Sequence, residues 1–352
     1  MNDFDYKSYA IRGIQMGGCM KKNIEWINQA RGIGMFLVVF GHAMHDSFIR
    51  GGGGDSLIPS LIFDFIYSFH MPLFFFISGF CSEKILRLDT IHDKLHYVSN
   101  RAKRLMIPYF FIGVIYIPLK VILSDEVTTQ INFKTLLFEF LTGTNPNFQL
   151  WTLYVLFVIN LIVCGIAQVN KKLIFPTACV LCVFSLFFPT NSQILNKCVY
   201  ECIFFVCGIY ARKLWNLKES DIRSQKDGLI KFAAISVFLL IGLNVIKEIS
   251  QISQIKIFTA FIGILAVSLI SILIEGNNKC FHTIGEYGMD VYIMANLVQV
   301  LCRSIFLGKL SLPGTVCCVL STLLGIVCPI IVSQLFVRKF KITRLLVLGV
   351  DK

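Results

Sequence analysis

Long apolar runs recur along this chain at a spacing that leaves few folds open. After a first run over residues 26–42 they return at 61–82, 105–123, 151–168, 173–189, 198–211, 229–246, 255–274, 288–307 and 313–337. Hydrophobic residues make up 55% of the chain and charged ones 15%, a balance no soluble core of this size needs. A helix of about 20 residues crosses about 30 Å of hydrocarbon, and in lipid only a helix or a closed barrel satisfies its own backbone. The reading is therefore an all-α, polytopic integral membrane protein with about ten transmembrane helices. The sixth run, 198–211, is the shortest and carries Glu201.

A net charge of +12 would suit nucleic acid in a soluble protein. Here most of the basic residues fall in alternate connections, at 84–104, 171–172, 212–226 and 338–352, as the positive-inside rule places them. That asymmetry predicts both termini in the cytoplasm and no nucleic-acid partner. It divides the chain into a cytoplasmic tail over 1–22, a membrane domain over 23–340 and a second tail over 341–352. The first run ends in His-Ala-Met-His-Asp rather than a small-residue cleavage site, so it is expected to stay as a span. The stretch Gly51–Gly54 lacks the context of a phosphate loop and reads as a hinge. Thirteen cysteines lie mostly within apolar runs and read as small packing residues, the Cys179 and Cys182 pair included.

Ionisable residues inside such runs are costly and mark function by default. Arg31 and His42 sit eleven residues apart on the first run. At about 100° and 1.5 Å per residue they share one helical face, about 16 Å apart, which suggests a polar channel with a cation at one mouth and a base deeper in. Asp46 either holds the tautomer of His42 or is solvated at the end of the span. The second run places His70 and Pro72 mid-membrane, where a proline frees a carbonyl that needs another partner. Arg101 and Arg104, at i and i+3, serve either as a lipid-headgroup anchor or as a guanidinium clamp for phosphate. Trp151 is either a belt anchor or a platform for a sugar ring, and with Glu201 it is a candidate for substrate contact. Glu201 and Asp290, near the ends of their runs, are either interfacial or buried. His42 and His45 lack a third ligand, so no metal is expected.

Three stretches together resemble the membrane-bound acyltransferase-3 family, the ten-span bacterial O-acyltransferases of surface polysaccharides, in their fucose 4-O-acetylase-like branch. They are Trp26 to His42 with its Arg-x10-His spacing, Tyr67 to Phe80, and Arg101 to Tyr109 with Arg-x-x-Arg before Pro-Tyr. The resemblance implies acetyl-CoA as donor from the cytoplasm, and as acceptor a hydroxyl of a cell-surface or lipid-linked glycan, in a bacterial cell membrane. It implies His42 as the catalytic histidine, Arg31 as its partner, His70 as active-site lining and Arg101 and Arg104 as the basic pair for the donor. Two positions depart from the family pattern: Ala295 stands where many relatives carry a histidine, and Asn28 where an acidic residue is common. A secondary transporter with a histidine proton relay is the alternative class, favoured by the proline in the second span.

Overall fold

The computed structural model describes residues 24–50, 57–122, 134–250, 252 and 254–350. Gly51–Gly54 and the tail over 1–22 lie outside them. The described chain is helical, in the order α1 Glu25–Met44, α2 Leu57–Tyr67, α3 His70–Phe80, α4 Ile91–Ile122, α5 Leu136–Leu141, α6 Trp151–Val169 and α7 Ile174–Phe187. There follow α8 Gln193–Ser224, α9 Lys226–Ser250, α10 Ile255–Leu273, α11 Lys279–Glu286, α12 Gly288–Cys302, α13 Gly314–Val332 and α14 Lys341–Leu348. Short π-helical turns, His45–Arg50, Arg303–Lys309 and Ser333–Val337, extend α1, α12 and α13.

Among the described residues nine helical stretches are long and apolar enough to cross a bilayer. The fifth apolar run is the one below that length, and the sixth, which the sequence suggests is shortest, belongs to the 32-residue α8. Polar residues on both flanks of the 198–211 run are good helix formers, so hydropathy alone understates the helix. The 14-residue α7 nevertheless carries the chain from one end of the bundle to the other. Just before it Lys171 pairs with Asp89 at 2.6 Å, whereas just after it Lys197 of α8 lies 3.9 Å from the centre of the Trp151 ring, at the opposite end of α6. With α7, ten helical stretches among the described residues run from one end of the bundle to the other, and the described termini share one end. There Glu25, Arg223 and Glu275 border one cavity and Gly349 sits against the backbone of Arg104. The basic connections meet at this same end: Lys94 donates to Gln168 at 2.7 Å, and Arg223 pairs with Glu275 at 2.5 Å.

Backbone contact at glycines holds the inner helices together, as is usual where lipid offers no hydrophobic drive between them. On α3 a Cβ at Gly79 would lie 1.8 Å from the Phe205 carbonyl oxygen of α8, and on α8 a Cβ at Gly208 would lie 2.0 Å from the Phe76 carbonyl oxygen of α3. The reciprocal arrangement recurs between α1 and α11 at Gly32 and Gly285. A methyl at Gly79 meets backbone that cannot turn aside. Gly79→Ala is therefore expected to cost about 1–3 kcal/mol or more through overpacking, read as a lower thermal midpoint and lower membrane abundance.

The second run is broken. The helix stops at Tyr67 and restarts at His70, which leaves Pro72 in the first turn of α3, where a missing N–H costs nothing. At the break the Ile66 carbonyl accepts from the Phe69 amide at 3.4 Å and from the His70 ring at 2.9 Å. The stretch expected as a tail beyond 340 forms α14, an amphipathic helix packed on α4 and α12 whose last residue, Leu348, is buried. Gly349 ends it in the left-handed conformation, φ 66°, pressed on Arg104, where a side chain would collide.

Candidate active site

One cavity enclosing about 1100 Å³ of empty space, its open mouth included, lies between α1, α3, α4, α6 and α12. Its walls are apolar, from Met35, Val38, Met71, Phe74, Phe75 and Leu156. Arg31, Arg101, Arg104 and Arg338 border one end, with Leu348 of α14 beside them, and Thr152 and Tyr292 lie toward the other. Four guanidinium groups from three distant parts of the chain thus converge on one opening.

Each arginine is held differently. Arg31 donates to Asn28 Oδ1 at 3.2 Å and lies 3.3 Å from Cys81 Sγ. Arg101, 6% exposed, donates Nε to the Tyr97 hydroxyl at 2.9 Å and Nη2 to Ser82 Oγ at 2.8 Å. Tyr97 passes its own proton to Asn160 Oδ1 at 2.6 Å, and Ser82 passes its proton to the Ser78 carbonyl at 2.6 Å. These neutral groups orient the guanidinium without cancelling its charge. Arg31 and Arg101 both act electrostatically on Arg104, and among the described residues no carboxylate lies within ion-pair distance of Arg101 or Arg104. Arg101 and Arg104, cations in low dielectric with no carboxylate beside them, favour an anion in the cavity. Arg338 differs, because it is paired at 2.7 Å with the fully buried Asp290 and lies over the Tyr287 ring. Asp290 also accepts from Ser333. Asp290 is therefore buried rather than interfacial, and it neutralises one of the four cations.

The histidines lie just past the other end of the apolar wall. Arg31, Met35 and Val38 line the cavity on α1, and His42 follows Val38 by one turn on the same stripe. His70 precedes the lining residue Phe74 by one turn of α3. The Tyr67 hydroxyl lies 3.2 Å from Nδ1 and 3.3 Å from Nε2 of His42, and the Tyr67 ring meets His70 edge to face at 4.5 Å. His70, 2% exposed, bonds through Nδ1 to the Ile66 carbonyl at 2.9 Å, so Nδ1 carries the proton and Nε2 is left as an acceptor. His42, Tyr67 and His70 form one cluster at the break between α2 and α3. Tyr67 had no signal of its own in the sequence beyond standing three residues before His70.

Of the other expected site residues, Asp46 lies close enough to Tyr67 to act on it electrostatically. Asp46, on the π-helical turn after α1, pairs with Arg303 at 3.1 Å, tying the far ends of α1 and α12 together. Trp151 is engaged by the Lys197 ammonium and stacks with Phe75 at 6.2 Å. Glu201 is 4% exposed on α8, with Oε2 unpartnered, and belongs to a different face of the bundle from the cavity. Ala295, at the family's histidine position, packs with Met35, Val38 and Val39 in a small apolar cluster against α1. Among the described residues no group of three His, Cys, Asp or Glu side chains could hold a metal ion. Most of the described cysteines are buried among apolar side chains.

A family model described as an acyltransferase domain, of the acyltransferase-3 type, matches residues 24–331. Neither curated proteins nor solved structures give a significant match. The matched region takes in α1 through nearly all of α13, and with them every wall of the cavity except Arg338 and the α14 contribution.

Proposed function

The chain belongs to this acyltransferase family, and from that premise we propose that it is a membrane O-acetyltransferase, moving acetyl from acetyl-CoA to a hydroxyl of a cell-surface or lipid-linked glycan. The observation that carries the reading is one cavity with Arg101 and Arg104, neither of them beside a carboxylate, at one end and a histidine pair one helical turn beyond the other. Coenzyme A has that polarity. Its phosphates sit at one end of an arm on the order of 15–20 Å, and the rise from Arg31 to His42 is about 16 Å. Arg101, Arg104 and Arg31 would hold the phosphates, while the apolar wall accepts the arm and leads the thioester toward His42.

His42 then serves as general base or as transient acyl carrier. As base it takes the proton of the acceptor hydroxyl while that oxygen bonds to the thioester carbon. The tetrahedral adduct breaks its carbon–sulfur bond, and the leaving thiolate takes the proton back from the imidazolium. The products are an acetyl ester and free coenzyme A thiol. Tyr67 is the group that orients the His42 ring, and His70, fixed in one tautomer by Ile66, backs it.

The arginine end faces the cytoplasm in this reading, since the donor is made there. Single-cysteine variants at His92 and Asn191, both exposed and at opposite ends of the bundle, test that orientation with an impermeant thiol reagent. Asn191→Cys is expected to label in intact cells and His92→Cys only after lysis. The reverse pattern would place the arginines outside and rule out a cytoplasmic donor. Lys94 is unsuited to this probe, being 5% exposed and bonded to Gln168. Acetyl transfer from labelled acetyl-CoA by the purified chain in nanodiscs tests the activity itself.

A further inference from the structure

At the end of the cavity away from the arginines, a set of neutral side chains carries more hydrogen-bonding capacity than the protein uses. Asn147 is 1% exposed. Its Oδ1 accepts from the Gln149 amide and from Asn296 Nδ2, both at 3.3 Å, which fixes the side-chain amide and turns Nδ2 away with no partner. Thr152, which lines the cavity, has an unpartnered buried hydroxyl, and so has Tyr116 on α4. Thr152 lies beside the Tyr292 hydroxyl, which donates to the Gln149 carbonyl, and Tyr116 lies beside Asn296, in neither case at the geometry of a well-formed hydrogen bond. Asn145 braces the set from behind, accepting from the Asn147 amide at 2.9 Å and donating to the Tyr109 carbonyl at 2.9 Å.

Leaving buried polar atoms unpaired costs free energy, and here three lie in one neighbourhood on α4, α6 and the turn before it. Their chemistry is specific. No charged side chain belongs to the set, which disfavours an anion or a cation. The amide supplies donors and the two hydroxyls supply both a donor and an acceptor, which is the complement of a neutral polyol whose hydroxyls do the same.

We propose that Asn147, Thr152 and Tyr116 form the acceptor subsite, binding neutral sugar hydroxyls and presenting one of them to the thioester. This rests on the acetyltransferase reading above and adds to it the location and class of the acceptor site. Fixed donors and acceptors in a buried site reject ligands that lack the matching hydroxyl, so the same residues would set acceptor specificity.

The test uses Thr152→Val and Tyr116→Phe, which delete one hydroxyl each and keep the shape of the side chain. The purified full chain in nanodiscs is given labelled acetyl-CoA and, as acceptor, the envelope glycan extracted from cells lacking the gene. Each single variant is expected to raise KM for the glycan about three- to tenfold, with the double variant higher, while kcat and acetyl-CoA affinity change little. The thermal midpoint should hold or rise, because an unsatisfied buried hydroxyl has been removed. An unchanged glycan KM in the double variant would overturn the subsite, as would a fall in thermal midpoint that accounts for the loss of activity. If the unaltered chain moves no acetyl to the extract, the acetyltransferase reading fails and the subsite with it. If it does so but the variants match it, only the subsite fails.

Discussion

Replacing His42 with alanine is expected to lower acetyl transfer by about 10²–10⁴-fold, the usual worth of a positioned general base. The comparison is rate per folded molecule at equal membrane abundance. His42 is only partly buried, so the substitution should leave the bundle intact. His70→Ala should hurt differently. It removes the closer of the two donors to the Ile66 carbonyl at the helix break, so it is expected to lower both activity and the thermal midpoint. Tyr67→Phe keeps the ring contact with His70 and loses only the hydroxyl, so it should cost less than His42→Ala. Near-normal transfer by His42→Ala would remove it from the chemistry and turn attention to His70, whose bare Nε2 is the remaining base in the cluster.

The second large effect is expected at the arginines. Loss of one charge-assisted contact costs about 1.5–3 kcal/mol, so Arg101→Ala and Arg104→Ala should each weaken acetyl-CoA binding by about tenfold or more. Arg104→Lys should recover part of the affinity, since it keeps the charge and loses the fork. Arg101→Ala also leaves the Tyr97 and Ser82 hydroxyls without their donor, so its thermal midpoint is expected to fall as well. Equilibrium binding of acetyl-CoA to purified protein separates the two effects. Unchanged affinity in both alanine variants would return the pair to the role of a lipid-headgroup anchor.

Much of the architecture was legible because it repeats locally. A run of about 20 apolar residues has one solution in lipid, and a stripe at positions 31, 35, 38 and 42 has one face on a helix. The Arg-x-x-Arg pair was visible for the same reason, and the structure sets both side chains in the cavity with Arg31. The broken second span was signalled by Pro72, but not where the break falls. Proline disfavours helix before it without fixing the last helical residue, and packing against α8 through Gly79 places the restart at His70.

What the sequence by itself determined is the membrane class, the all-α fold and the shared face of Arg31 and His42, all properties carried by local composition and period. Only the tertiary structure decided which of the polar residues meet. Asp290 with Arg338, Asp46 with Arg303, and Asn147 with Asn296 lie 48, 257 and 149 residues apart. The folding of 341–348 into a helix against Arg104 likewise depends on a partner far away in the chain, since an eight-residue helix is too short to hold itself together. No local period encodes such pairings. They follow from which helix faces the packed bundle brings together, and a buried polar group acquires its role from the neighbour it meets there.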